Sequence, residues 1–399
     1  MYKKGKLKYY NIIDMSILIK TNSWAEEIFK KLEKKLTAEC ERNKDTIPYI
    51  PVNGRYQNSE TTEGIYWWTN GFWSGMLWQM YNATKNELFR KTAENVEIKL
   101  DKALEGFEDL HHDVGFMWLH TSVANYRLTK NKDSRRRGLH AANILAGRYN
   151  PTGKFIRAWN GDRPGWIIID CMMNLPILYW ASKELNDPRF KMIAMEHALT
   201  TINNMVRADG SCNHIAVLSP YTGECIETPA GQGFAAGSSW SRGQSWALYG
   251  FALSYRHTGD RKFLDIAKKT AHYVIANFAH NDYLPPVDFR SPARETSLQN
   301  EEPLKYDSTS AMISACGLLE IAGHVDEYEK ALYRNAAFKL LTTAEKAFAD
   351  WNMETDGIIG KGTAAWHGNE HDTEVPIIYG DYFFTEAILR ILEKDFLIW

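Results

Sequence analysis

The sequence has no excess of charge of either sign. Its 399 residues carry 47 Lys and Arg against 49 Asp and Glu, a formal net charge of −2. Basic residues gather only in Asp133-Ser134-Arg135-Arg136-Arg137, a short run that reads as the solvated start of a helix. Nucleic acid is therefore not expected as a partner. No apolar run approaches the about 18 residues of a membrane-spanning helix, so no membrane partner is expected either. The opening MYKKGKLKYYNIIDMSILIK is basic and then mildly apolar, but Asp14 and Ser16 interrupt it and no small-residue cleavage site follows. It makes a poor secretory signal. The five cysteines (Cys40, Cys171, Cys212, Cys225, Cys316) contain no C-x-x-C pair. Such a set suits a reducing compartment, argues against a disulfide framework and a cysteine-based zinc site, and makes the cytoplasm the expected location. No Pro-, Gly- or Ser-rich linker divides the chain, so residues 21–399 read as one domain behind an N-terminal extension, 1–20. Monomer and homodimer both remain open.

Aromatic residues are plentiful at 13%, with 14 Trp. Flat apolar sugar faces stack on indole rings, although some of these Trp must simply pack between helices. Helical periodicity dominates. Ser23-Trp24-Ala25-Glu26 has the pattern of a capping box and predicts a helix start. Stretches 85–109, 133–148, 190–208, 262–278 and 325–350 alternate apolar residues at three- and four-residue spacing with Lys, Arg and Glu, as amphipathic helices do. A second set is drier and begins at 68–81, 111–126, 167–182, 238–255, 307–323 and 380–392. Strand-like segments are short: 154–158, 212–218, 225–228 and 358–360. Wet and dry helices alternate, and the dry ones recur roughly every 45 to 75 residues without a short repeat. The order predicts an all-α fold, an (α/α)6 barrel with dry inner and wet outer helices. Each dry helix starts with small, polar or charged residues beside aromatics. If the inner helices run in parallel, those starts gather at one mouth, where free N–H groups favour an anion.

Two carboxylates stand out there. Asp170 lies in IIIDCMMNLP between apolar runs. One reading is an ordinary helix N-cap. The other is a carboxyl that its apolar neighbours desolvate, raising its pKa as a general acid needs. Pro176 places the helix proper near Met173, which leaves Asp170 on its lip. Asp113 follows His111 and His112. Consecutive helical residues diverge by about 100 degrees, so this run is not expected to hold a metal. Arg242 stands between Trp240 and Trp246 and suits a carboxylate partner, or packs on Trp. His214 lies in a short apolar strand, where a buried structural histidine is the alternative.

WTNGFWSG, HHDVGF, IIIDCMMNLP, SSWSRGQSWALYGFA, DSTSAM with CGLLE, and GDYFF resemble, in that order, the motifs of the unsaturated glucuronyl hydrolases of glycoside hydrolase family 88. The resemblance runs from about Trp68 to the C-terminus. It implies an enzyme that removes a 4,5-unsaturated uronic acid from the non-reducing end of lyase-generated oligosaccharides. The family protonates C4 of the vinyl ether and adds water at C5, so the carboxylate-spacing rules of ordinary glycosidases do not apply. Asp170 matches the general acid/base and Asp113 the second aspartate. Trp68 and Trp159 match ring-stacking positions. His112, His214, Gln232, Trp240, Arg242 and Trp246 match positions lining the subsite and the uronate carboxylate, and Tyr382 a position near the cleft floor. The resemblance implies no metal and no organic cofactor.

Two stretches depart from the family. Gly231 stands where a basic residue often precedes Gln232. The region KGTAAWHGNEHDTEVPIIYGDY lacks the Ser-x-x-Ser-x-Lys spacing shared by members that prefer sulfated glycosaminoglycan fragments. The alternatives are another (α/α)6 carbohydrate enzyme, such as an unsaturated rhamnogalacturonyl hydrolase, an inverting glycosidase or a sugar epimerase, or a non-catalytic glycan-binding protein.

Overall fold

The structure is a computed structural model that describes residues 3–292 and 305–399, with side chains from residue 21 onward. Twelve helices among them form two rings: α1 (Lys3–Asn43), α2 (Phe72–Thr84), α3 (Glu87–Lys99), α4, α5 (Lys132–Gly147), α6 (Pro176–Leu185), α7 (Pro188–Met205), α8 (Ser241–Thr258), α9 (Arg261–His280), α10 (Ser308–Ala322), α11 (Glu327–Phe348) and α12 (Ile378–Ile391). Helix α4 has three pieces, Val114–Trp118, a π-turn over Leu119–Val123, and Ala124–Thr129. Even-numbered helices are the dry ones; nearly every residue of α8, α10 and α12 is buried. Odd-numbered helices bury one stripe. In α9 that stripe is Phe263, Leu264, Ala267, Ala271, Val274 and Phe278, the spacing of a single helical face. The alternation read from the sequence is the alternation of the barrel.

The direction of the rings follows from local chemistry. Four inner helices end in a left-handed residue, Lys85, Lys130, Asn186 or Gly259. The next residue, Asn86, Asn131, Asp187 or Asp260, caps the following outer helix with its side chain. A left-handed stop joined to an Asx start makes an inner-to-outer turn of two residues. Length therefore accumulates in the outer-to-inner connections, all of which open at the other end. Two of them, α5–α6 and α7–α8, share a three-stranded antiparallel sheet: β1 (Trp166–Ile168) comes from the first, and β2 (Ile215–Leu218) and β3 (Cys225–Glu227) from the second, with Ile168 opposite Ile215. Strand β1 was not expected. Of the expected strands, 154–158 is reduced to Phe155–Ile156, and 358–360 to an isolated bridge between Ala349 and Ile359.

The helix start expected at Ser23 does not exist. Helix α1 runs through Ser23 without a break. Between Lys6 and Asp45 there is no Gly or Pro to stop it, and a capping pattern does not end a helix that nothing interrupts.

The closed end is held by a buried charge cluster. Glu320 is fully buried and accepts from Arg256 Nε at 2.6 Å, Arg390 Nη2 at 2.5 Å and His324 Nε2 at 2.7 Å. Burial opposes its ionisation, yet Arg390, His324 and Arg256 together hold the carboxyl well below the usual range. A depressed pKa contributes stability that is present above the ordinary carboxylate range and is lost as pH falls through the folded value. Glu320→Gln keeps the shape and removes the charge. It is expected to cost about 2 kcal/mol at neutral pH, and less in acid, by urea denaturation.

Candidate active site

The mouth is built from the N-terminal ends of the inner helices. The outer helices α3, α5, α7 and α9 are capped by the side chains of their own N-cap residues, whereas α2, α4, α6, α8 and α12 are not. Several of their leading N–H groups are bonded to backbone oxygens, as Ser241 N is to Val287 O and Ile378 N to Tyr49 O, so what these ends offer an anion is the positive end of the helix dipole. Helix α10 is the inner helix capped by its own N-cap residue, Asp307 on Thr309 N.

Asp170 sits in a 3₁₀ turn, Ile169–Met173, between β1 and α6, and α6 begins at Pro176. Pro at the first helical position needs no N–H partner. Asp170 caps neither helix. Its Oδ2 is buried without a hydrogen-bond partner and lies 3.4 Å from His214 Nε2. His214 Nδ1 accepts from Gln232 N at 3.0 Å, so in the neutral ring the proton sits on Nε2 and faces Asp170. A carboxylate oxygen out of water with no committed partner is the kind of exception that marks chemistry.

Asp113 occupies the formal N-cap of α4 but does not cap it. Asn174 does so instead: its Oδ1 accepts from Phe116 N at 2.7 Å, and its Nδ2 donates to Asp113 Oδ1 at 2.9 Å. This relay frees Asp113 Oδ2, which lies 3.3 Å from His111 Nδ1 and 3.4 Å from His112 Nε2. Gly115 permits the close approach, since a Cβ there would stand 2.6 Å from Asn174 Cα. Burial, and then the charge of Asp170, push the Asp113 carboxyl well above the carboxylate range. Neighbouring carboxyls of this kind titrate as one system. Both carboxyls are largely shielded, with side-chain exposures of 15% for Asp170 and 10% for Asp113. The apolar neighbours of Asp170 face the core, while its own side chain turns outward.

Beyond His214, which packs on Trp240 with ring centroids 4.3 Å apart and bonds Gln232 N, the wall continues through Trp240, Arg242 and Gln232. Arg242 is 1% exposed, lies over Trp240 and Tyr379, and donates to Asp307 Oδ2 at 2.8 Å and Thr363 O at 2.6 Å. The clamp expected for a substrate carboxylate is thus already paired within the protein. Arg242 positions Asp307 and the 363–364 segment. Gln232 Nε2 donates to Ala364 O at 2.6 Å, and Gln232 O accepts from Trp366 N. Trp68 packs on Phe116 and Tyr379 at the rim. Trp159 stacks near Trp166, with Arg163 over both rings.

Trp246 and Tyr382 do not open on the mouth. Trp246 is fully buried in the second turn of α8 against Phe116 and Phe383. Tyr382 is also fully buried, with its hydroxyl donating to Glu386 Oε2 at 2.9 Å. Both lie below the mouth, where inner-helix aromatics fill the barrel. The structure also overturns the reason for setting the histidines aside: His111, His112 and Asp113 precede α4 rather than ride on it, and their ligand atoms fall within 4.8 Å of one another.

Sequence reasoning missed Asn174, Arg148, Asp288 and Thr363. Asn174 follows Asp170 by four residues, a spacing that signals a shared face. Arg148 supports the turn before α4 through Leu110 O and Ala158 O. Asp288 holds the 234–239 loop through Phe234 N and Ser239 N. Neither has a local pattern.

Gly231 has φ +61, and a Cβ there would stand 1.9 Å from His214 Nδ1. The absence of a basic residue at this position is therefore structural. Gly231→Ala is expected to break the Gln232–His214 bond and to lower kcat about tenfold, measurable in steady state, with a loss of about 1–2 kcal/mol in stability.

A model of the Glycosyl Hydrolase Family 88 matches residues 42–281. The unsaturated glucuronyl hydrolase of Bacillus sp. (strain GL1) is 35% identical over 87% of this chain and 91% of its own length. The unsaturated chondroitin disaccharide hydrolase of Streptococcus pneumoniae is 32% identical over 83% of each. Among solved structures, that of the Bacillus sp. GL1 unsaturated glucuronyl hydrolase superposes with a TM-score of 0.82 at 33% identity, over 90% of this chain and 95% of that one. An unsaturated glucuronyl hydrolase specific for heparin superposes at 0.80 and 28% identity, over 93% and 98%. No helix among the described residues is long and apolar enough to cross a membrane. The barrel, the mouth with its paired aspartates and these identities agree: the chain belongs to glycosyl hydrolase family 88 and is a glycoside hydrolase.

Proposed function

We propose that the protein removes the 4,5-unsaturated uronic acid from the non-reducing end of lyase-generated, glycosaminoglycan-type oligosaccharides. The observation that carries this reading is Asp170 Oδ2, buried, unpaired and 3.4 Å from His214 Nε2. The names of the similar proteins support the substrate class.

Asp170 delivers a proton to C4 of the vinyl ether, and positive charge develops at C5 and the ring oxygen. Water adds at C5 and returns its proton to Asp170. The hemiketal then opens and releases the next sugar. The Nε2–H of His214 stabilises the Asp170 carboxylate while the cation exists. Burial pushes the Asp113 carboxyl well above the usual carboxylate range, and Asp113 holds the hydroxyls of the incoming uronate. The positive ends of the inner helices favour the uronate carboxylate, and Trp68 and Trp159 flank the sugars. His112 and Trp240 complete the wall. The five cysteines lack disulfide partners, which suits a cytoplasmic enzyme that meets disaccharides after lyases have made them.

The test is loss of the ultraviolet absorbance of the conjugated enol ether when an unsaturated disaccharide is added. Run in heavy water, the reaction is expected to place deuterium at C4 of the released sugar. Turnover of a saturated glucuronide, with none of the unsaturated one, would replace this reading by that of an ordinary glycosidase.

A further inference from the structure

We propose that His111 Nδ1, His112 Nε2 and Asp113 Oδ2 form a site for a divalent transition-metal ion of the zinc class, and that an ion bound there stops turnover. The second half rests on the function proposed above; the binding half does not.

The geometry fits the ion. A tetrahedral zinc with ligands at about 2.0–2.1 Å has neighbouring ligand atoms about 3.3–3.4 Å apart. Asp113 Oδ2 lies 3.3 Å from His111 Nδ1 and 3.4 Å from His112 Nε2. All three atoms fall within 4.8 Å of one another, so only the two imidazoles need to approach. His111 keeps 25% of its side chain exposed, which gives it room to turn and gives the ion an entry.

The lone pairs are available. His111 Nδ1 accepts only a long bond from Asp113 N, at 3.4 Å, so its lone pair already points inward. His112 is 1% exposed, and its Nδ1 is buried without a partner, so the opposite edge of the ring is not tied to another group. Asn174 Nδ2 holds Asp113 Oδ1 and leaves Oδ2 to the ion, the outer-shell support that ligating carboxylates carry. Arg148 opposes binding, since its guanidinium acts on all three residues, but its Nη1 and Nη2 donate to Leu110 O, Ala158 O and Asn160 Oδ1 and are held there. An imidazole–imidazole–carboxylate set with an open fourth position favours zinc, cobalt and nickel over calcium or magnesium. The ion would take the Asp113 oxygen that the sugar needs.

The full-length protein, freed of metal by chelation, is titrated with Co²⁺ and then Zn²⁺. Visible d–d bands from one Co²⁺ per chain are expected, bleached by Zn²⁺. Zn²⁺ is expected to lower the rate on an unsaturated disaccharide by about tenfold or more, and a chelator to restore it. His111→Ala is expected to weaken Zn²⁺ binding about tenfold or more by calorimetry, and to remove most of the zinc inhibition relative to its own metal-free rate. Equal zinc affinity in His111→Ala, with an unchanged thermal midpoint, would overturn the site. So would loss of the cobalt bands in Cys225→Ser, which would place the ion on the exposed thiol. A chain that binds zinc here and still turns over at full rate would overturn the inhibition. A chain that binds zinc and processes no unsaturated disaccharide would overturn the function proposed above and leave the site standing.

Discussion

Asp170→Asn is expected to lower kcat by about three to four orders of magnitude, the upper range for losing a positioned proton donor. The amide cannot release a proton to C4 or accept one from water. The same substitution is expected to leave the thermal midpoint within about 1–2 °C. Asp170 caps no helix, and its Oδ2 makes no hydrogen bond that the amide would break. His214 is close enough to meet an amide oxygen in place of the carboxylate. Substrate affinity is therefore expected to survive, measured by equilibrium titration with an unsaturated disaccharide. Residual activity above about 1% would remove Asp170 from the proton transfer, because no other unpaired carboxylate oxygen faces His214 among the described residues.

Asn174→Ala is expected to act twice. Loss of the Phe116 N–H acceptor and the Asp113 donor should cost about 2–3 kcal/mol of stability. With Asp113 no longer aimed, kcat should fall about a hundredfold. The pH profile separates the two effects. Asn174 lowers the Asp113 pKa by donating to its carboxylate, against the larger raising effects of burial and of Asp170. Removing that donor raises the pKa further, so Asp113 keeps its proton to higher pH. If the neutral form is the active one, the alkaline limb of kcat/KM moves upward. A drop in stability with an unmoved limb would show that Asn174 supports the fold alone.

The ring alternation was legible because it rests on composition. Dry helices with scattered polar residues can only be inner, and Lys- and Glu-rich ones only outer. The place of Asp170 on the lip of a helix was legible too, since Pro176 marks where the helix proper begins. The depth of a side chain was not. Trp246 and Tyr382 carry the same aromatic signal as Trp68 and Trp240, yet one turn along an inner helix moves a ring from the mouth to the core. The pairing of Arg242 with Asp307 joins residues 65 apart, and no local spacing announces it. Asn174 lay inside a recognised motif, but its two bonds need the start of α4 beside it. Strand β1 was hidden because WIIID reads equally as the first turn of a dry helix.

The stretch of residues 364–366, next to Gln232 and Arg242, is fastened by its peptide groups. Gln232 grips Ala364 O, Lys305 grips Trp366 O, and Trp366 N returns to Gln232 O. Fastening of that sort is indifferent to which amino acids occupy the positions. Descendants of this chain are free to re-letter the segment without loosening it, because Gln232, which holds it, is anchored on the other side to His214.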